Sequence, residues 1–151
     1  MSKYKNHKIC LNDIENKIEK TCLEYNLKFT DLRREVFSIM SKSHGMIKAY
    51  DILAQMRKSN PSTEPPTVYR ALGFLIKNNF IHKINSLNSY VTCCHLIDKG
   101  FCFFLICSKC GSVEENLDSR LSDLILSFVK KHKFFLQKSS LEIEGICNSC
   151  S

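Results

Sequence analysis

Apolar residues recur along this chain in two rhythms, one helical and one strand-like. Ile14, Ile18 and Cys22 fall on one face at intervals of four, which predicts a first helix with Asn12 or Asp13 at its cap and Asn26 at its end. Thr30 stands where a second helix would be capped, and Leu32, Val36, Phe37 and Met40 follow at helical spacing with Arg33 and Arg34 on the other side. Ser43-His44-Gly45 breaks that run. A third helix is predicted over Lys48–Lys58, burying Ile52, Leu53 and Met56, and the turn Ser59-Asn60-Pro61-Ser62 follows. Pro65 and Pro66 suit the first turn of a fourth helix, where a missing N–H costs no hydrogen bond. Val68, Leu72, Leu75 and Ile76 form its apolar stripe, Pro66, Arg70, Gly73 and Lys77 line the opposite face, and Asn78-Asn79 stops it.

The rhythm then changes to two. Ile81–Asn85 and Ser89–Cys93 read as short strands around Ser86-Leu87-Asn88. A helix-turn-helix followed by a hairpin is the winged-helix arrangement, whose second helix enters the major groove of DNA. Further on, Phe101–Cys107 reads as a buried strand and Ser112–Leu117 as a second. Leu117, Leu121, Leu124, Ile125, Phe128 and Val129 form one helical stripe, and Phe134–Ile146 reads as a long last strand. The fold class is α+β: a winged-helix DNA-binding domain over residues 1–94, a hinge over 95–100, and a small α/β dimerisation domain over 101–151. One helix cannot cover both faces of a sheet, so a second copy is expected to cover the other, giving a homodimer.

Charge sharpens this division. Residues 1–92 hold 15 Lys and Arg against 8 Asp and Glu, whereas residues 93–151 are balanced at 7 each. A basic half beside a neutral, cysteine-rich half suggests a polyanion binder joined to a sensing or assembly module. The longest wholly apolar run, Phe101–Cys107, is far too short to span a bilayer, so a soluble protein without a membrane partner is expected. Met1–Lys8 carries no apolar signal core, which points to the cytoplasm, where thiols stay reduced.

Cysteine spacing supplies the chemistry. Cys107-Ser108-Lys109-Cys110 and Cys147-Asn148-Ser149-Cys150 are two C-x2-C knuckles separated by 36 residues. A two-residue spacer lets both sulfurs of a knuckle face one ion, and two knuckles supply the four thiolates of a structural zinc site. Gly111 gives the first turn its backbone freedom. Nine cysteines, an odd number, in a chain without an export signal favour metal over a disulfide framework. A four-thiolate site leaves no open coordination position, and no Ser/His/Asp or phosphate-loop pattern is visible, so neither an enzyme nor a small-molecule substrate is expected.

These residues resemble the ferric uptake regulator family. The marks are Thr30-x-x-Arg33, Ala49-Tyr50-Asp51-Ile52-Leu53, Pro66–Leu72, Cys107-x2-Cys110-Gly111 and Cys147-x2-Cys150, and they extend over nearly the whole chain. Within that family the chain looks most like the zinc-responsive regulators, through Pro65–Leu72, Phe80-Ile81-His82-Lys83 and Asn88-Ser89-Tyr90-Val91-x-Cys93. Where the iron and peroxide sensors carry a histidine-rich run, it reads Gly100-Phe101-Cys102-Phe103-Phe104-Leu105. A thiolate is softer than imidazole or carboxylate and favours zinc.

The resemblance implies a metal-dependent homodimeric repressor of zinc uptake genes that binds double-stranded operator DNA. The alternatives are an iron or peroxide sensor of the same family, or a zinc-stabilised interaction module without sequence preference. It implies two Zn2+ per protomer, one structural and one regulatory. It places Tyr50 and Arg70 on DNA, although Tyr50 also reads as a partly buried core tyrosine; Thr67 and Tyr69 read as backbone contacts, and Arg33 and Arg34 as phosphate contacts or as a solvated face. For the regulatory ion it implies His82, Cys93, Cys102 and Glu115. Three of these have neighbours in contention: Cys94 for Cys93, His95 for Cys102 and Glu114 for Glu115. Strand alternation favours Cys93, which shares a face with Val91 and His95.

Overall fold

The computed structural model describes residues 7–43, 45–93, 101–136 and 140–151, with residues 7–13 as backbone only. The chain divides into two compact units, Met1–Leu96 and Ile97–Ser151. The first unit contains α1 (His7–Glu24), α2 (Asp31–Lys42), α3 (Ala49–Ser59), α4 (Pro65–Lys77), β1 (Ile81–Ile84) and β2 (Ser89–Thr92). The second contains β3 (Cys102–Cys107), β4 (Val113–Leu117), α5 (Ser119–Lys131) and β5 (Leu141–Gly145). The architecture is the expected α+β, with a winged helix in the first unit.

The stripes read from the sequence meet in one core. Ile14, Ile18 and Cys22 of α1 pack with Val36, Phe37 and Met40 of α2, Ile52, Leu53 and Met56 of α3, and Val68, Ala71, Leu72 and Leu75 of α4. Burial pushes the Cys22 thiol up, so it stays a neutral thiol within the core, as expected of a small apolar residue. The expected cap of α1 is corrected: helical backbone begins at His7, and Asn12 and Asp13 lie inside it. No glycine or proline precedes them, so nothing stops the helix from propagating upstream. Asn26 and Asn79 adopt left-handed φ values of 51° and 57°, and the following N–H groups return to Cys22 O and Leu75 O. Asparagine tolerates that conformation well, which is why it ends both helices.

In the hairpin, β1 pairs antiparallel with β2, with His82 opposite Val91. Tyr90 also exchanges two backbone hydrogen bonds with Ile47, at 3.0 and 2.8 Å, which pins the wing to the segment entering α3.

The second unit is a three-stranded sheet in the order β4-β3-β5, with β3 antiparallel to β4 and parallel to β5. Cys102, Phe104 and Ile106 share one face with their partners Leu117, Glu115 and Val113. Phe103 and Leu105 share the other with Leu141 and Ile143. Two expectations are corrected here. The last strand begins at Leu141, not Phe134, because Lys133 at φ 51° caps α5 and the Phe134 N–H returns to Val129 O. The α5 stripe also splits: Leu121, Ile125 and Val129 are half-buried, whereas Leu124 and Phe128 are exposed. Its N-cap is Asp118, whose carboxylate accepts from Arg120 N and Leu121 N; the Leu121 N–H foremost holds that carboxyl below its usual range.

Phe104 is 1 % exposed in this small core. Phe104→Ala is expected to cost about 3–5 kcal/mol, because transfer and cavity terms add. Denaturant unfolding followed by circular dichroism checks this, and a loss below about 1 kcal/mol would contradict the packing described.

Candidate functional site

Each of the two knuckles closes the end of a strand. Cys107 ends β3, its N–H bonds Ser112 O at 2.9 Å, and Gly111 at φ +70° returns its N–H to Cys107 O at 2.8 Å. A side chain at that φ would be strained, so glycine is required by the turn. The second knuckle repeats the design, with Cys150 N and Ser151 N both donating to Cys147 O. Parallel pairing of β3 with β5, which sets Cys107 beside Gly145, brings both knuckles to the same end of the sheet.

The sulfurs of Cys107, Cys110, Cys147 and Cys150 lie within 4.8 Å of one another. The Cys147 N–H donates to Cys107 Sγ at 3.4 Å, and Cys110 and Cys147 approach to 3.8 Å. Backbone donors, first Cys147 and then Cys110, pull the Cys107 thiol down to about 6, a thiolate at neutral pH. Ser112 lowers Cys110 in the same direction. Cys150 is pushed up to about 12, chiefly by its side-chain hydrogen bond with Cys147 and then that with Cys110. Four thiolates on two turns fit a closed tetrahedral zinc site, and metal binding would displace the protons of this set. Lys109, a spacer residue of the first knuckle, ties the knuckles together by donating from Nζ to Cys150 O at 2.8 Å. Nothing in a lysine's sequence position announces that role.

Each unit also presents a pair of further ligand types. In the first, His82 stands on β1 opposite Val91, and Cys93 follows β2 with its N–H on Phe80 O at 3.1 Å. Cys93 is buried, His82 is half-buried with its Nε2 shielded, and their ligand atoms lie within 4.8 Å. In the second unit, Cys102 lies opposite Leu117 and Glu115 opposite Phe104, so both groups occupy one face, again with ligand atoms within 4.8 Å. Glu114 pairs with Leu105 on the other face. Cys94 and His95, the rivals of Cys93 and Cys102, and the hinge at 95–100 lie outside the described residues.

The outer face of α4 is as its pattern predicts: Pro66, Arg70, Gly73 and Lys77 are all exposed. Tyr69 beside Arg70 is 56 % exposed, Tyr50 at the start of α3 is 75 % exposed, and Thr67 is half-buried in the first turn of α4. Tyr50 thus stands in the first turn of α3, and Thr67, Tyr69 and Arg70 in the first half of α4. Arg34 does not join that surface: its Nη1 pairs with Glu19 and, at 3.5 Å, with Glu15, which ties α2 to α1. The side-chain bond to Glu19 foremost raises its pKa.

A model of the ferric uptake regulator family matches residues 24–144. The zinc uptake regulation protein of Escherichia coli (strain K12) is 40% identical over 134 residues, which span 87% of this chain and 78% of that protein. The ferric uptake regulation protein of Helicobacter pylori (strain ATCC 700392 / 26695) is 26% identical over 140 residues, 93% of each. A solved zinc uptake regulator complexed with zinc and DNA superposes with a TM-score of 0.84 at 36% identity, covering 92% of this chain and 93% of that one.

Proposed function

We propose, from the premise that this chain belongs to the ferric uptake regulator family, that it is a cytoplasmic, zinc-responsive repressor that binds operator DNA as a homodimer. It has no catalytic role: its ligands sense and hold metal, and its product is an occupied operator. The observation that carries the reading is the His82–Cys93 ligand pair on the same hairpin that follows the exposed Tyr69–Arg70 face of α4. Cys107, Cys110, Cys147 and Cys150 hold one zinc as a fold element. His82 and Cys93 of the first unit and Cys102 and Glu115 of the second share a second, regulatory zinc.

That second ion would act by conformational selection. Two recognition helices of a dimer must enter major grooves about 34–36 Å apart. An ion held by ligands from both units limits the arrangements the chain samples and enriches those with that spacing. The donor set of one nitrogen, two sulfurs and one oxygen suits tetrahedral zinc, and its two thiolates set it apart from the nitrogen–oxygen sites that suit mononuclear iron(II). The relative named for zinc is also the nearer of the two curated relatives in sequence.

Dimerisation has its own support. Leu105, Leu124, Phe128, Leu141, Ile143 and Ile146 are exposed in one small unit. So much exposed apolar surface in so few residues marks an interaction site, and a second copy is the partner the family reading supplies.

At the DNA, Arg70 reads a guanine edge with its guanidinium fork, Tyr69 and Tyr50 contact base or phosphate, and Thr67 contacts the backbone near the α4 N-terminus. The test is binding to a duplex selected from a random pool by the zinc-loaded chain, with and without zinc. Arg70→Ala is expected to lose about 1–3 kcal/mol of discrimination between that duplex and random sequence. Equal losses on both duplexes would count against direct readout, and zinc-independent or sequence-indifferent binding by the unaltered chain would overturn the function.

A further inference from the structure

We infer that Arg33 is a positioning residue for α4, acting through the ring of Phe74 and not on DNA phosphate. This rests on the reading of the chain as a zinc-responsive DNA binder. Arg33 lies on the first turn of α2, three residues after Thr30, and its charge alone would suit a phosphate contact. Its side chain is committed elsewhere: Nη1 donates to Lys28 O in the α1–α2 connection, and the guanidinium carbon lies 3.6 Å from the centroid of Phe74. A planar, weakly hydrated cation stacks on an aromatic face in a way that an ammonium cannot reproduce.

Phe74 is well placed to transmit that contact. It follows Arg70 by four residues, so it stands one turn behind Arg70 on the same flank of α4. The inner stripe of α4, Val68, Ala71, Leu72 and Leu75, is wholly apolar and sets the distance of the helix from the core. The Arg33–Phe74 stack lies at the edge of that stripe, where Phe74 also packs against the core, and adds a directional restraint on the flank that carries Arg70, because the guanidinium is itself tied to Lys28 O.

The same ring meets Phe80 edge-on, with centroids 6.3 Å apart and planes at 60°. Phe80 closes α4 by donating its N–H to Leu75 O at 2.9 Å, and its carbonyl accepts from Cys93 N at 3.1 Å. One line of contacts thus runs from α2 through α4 to a proposed zinc ligand. Arg34 serves the other side of α2, paired with Glu15 and Glu19, with its guanidinium carbon 4.9 Å from the Phe29 ring centroid.

The experiment measures affinity across a salt series for zinc-loaded wild-type, Arg33→Ala, Arg33→Lys, Phe74→Leu and the Arg33→Ala/Phe74→Leu double variant. The probes are a duplex selected by the wild-type chain and a random duplex. Zinc content and unfolding midpoint are recorded for each variant. Arg33→Ala is expected to weaken the selected duplex about tenfold and the random duplex much less, with the salt slope unchanged. Arg33→Lys keeps the charge yet falls with Ala, Phe74→Leu matches both, and the double variant is no worse than either single one.

The inference is overturned if Arg33→Lys binds like wild-type while Arg33→Ala lowers the salt slope by about one, which would make Arg33 a phosphate contact. It is equally overturned if every variant binds like wild-type. Should Arg33→Ala unfold, the comparison of Arg33→Lys with Phe74→Leu still decides. If the wild-type chain selects no duplex in zinc, the functional reading fails and this inference falls with it.

Discussion

Cys110→Ser is expected to remove one zinc from every protomer and to leave the second unit without a stable fold. Its small sheet buries little beyond Phe104, Ile106 and Cys107, with Ser122 the buried side chain of α5. A domain of this size gains too little from its core to fold unaided and needs a staple. A zinc ion on the four sulfurs would supply it, because the metal's binding energy is folding energy when the site does not exist in the unfolded chain. Serine keeps the shape at 110 but offers a hard, protonated oxygen in place of a thiolate. Native mass spectrometry gives zinc per protomer, and size-exclusion chromatography with circular dichroism gives assembly and fold. A folded, dimeric Cys110→Ser chain with its full complement of zinc would dismiss a structural role for this site.

Cys102→Ser and Cys93→Ser separate sensing from folding. Each is expected to abolish the second zinc, keep the first, and lower affinity for the selected duplex on the order of a hundredfold in zinc. The argument is one of linkage: an ion can shift a population only by its preference for one state, and loss of a thiolate ligand removes that preference. Glu115→Gln should follow the same pattern more mildly, and Glu114→Gln should not, since only residue 115 shares a sheet face with Cys102. Zinc titration of protein already carrying its structural ion, run beside DNA binding, provides the readout. If Cys94→Ser and His95→Ala erase the second site while the 93 and 102 variants keep it, the ligand set is displaced along the chain and must be redrawn.

Much of this is legible in the sequence. Helical periodicity located the stripes of α1 to α4 because each faces one continuous core, and two knuckles of fixed spacing announced themselves without a third dimension. Pattern failed where local hydrogen bonding decides. The left-handed cap at Lys133 consumed residues assigned to the last strand, since lysine carries no signal for that conformation. Asp118 sits between a strand residue, Leu117, and the apolar stripe of α5, and its capping role shows only in the hydrogen bonds it accepts from Arg120 N and Leu121 N. Glu114 and Glu115 could not be told apart by spacing; the register of β3 against β4 separates them onto opposite faces. The assignments of Arg33 and Arg34 depended on partners on α1, α4 and the α1–α2 connection, which a linear reading cannot supply.

Parallel pairing of β3 with β5 also sets an order of events in folding. The β3–β4 hairpin is local, and its turn is the first knuckle, so two thiols can be arranged early. The register of β3 with β5 joins Phe103 to Leu141 and must wait until α5 and its connections bring a distant segment back. Closing a loop of that length costs about 3 kcal/mol of chain entropy before any contact rewards it. An ion held by Cys107 and Cys110 alone would lack two of its four thiolates, which Cys147 and Cys150 would supply once β5 pairs. Free zinc would then bear on the rate of folding as well as on its equilibrium.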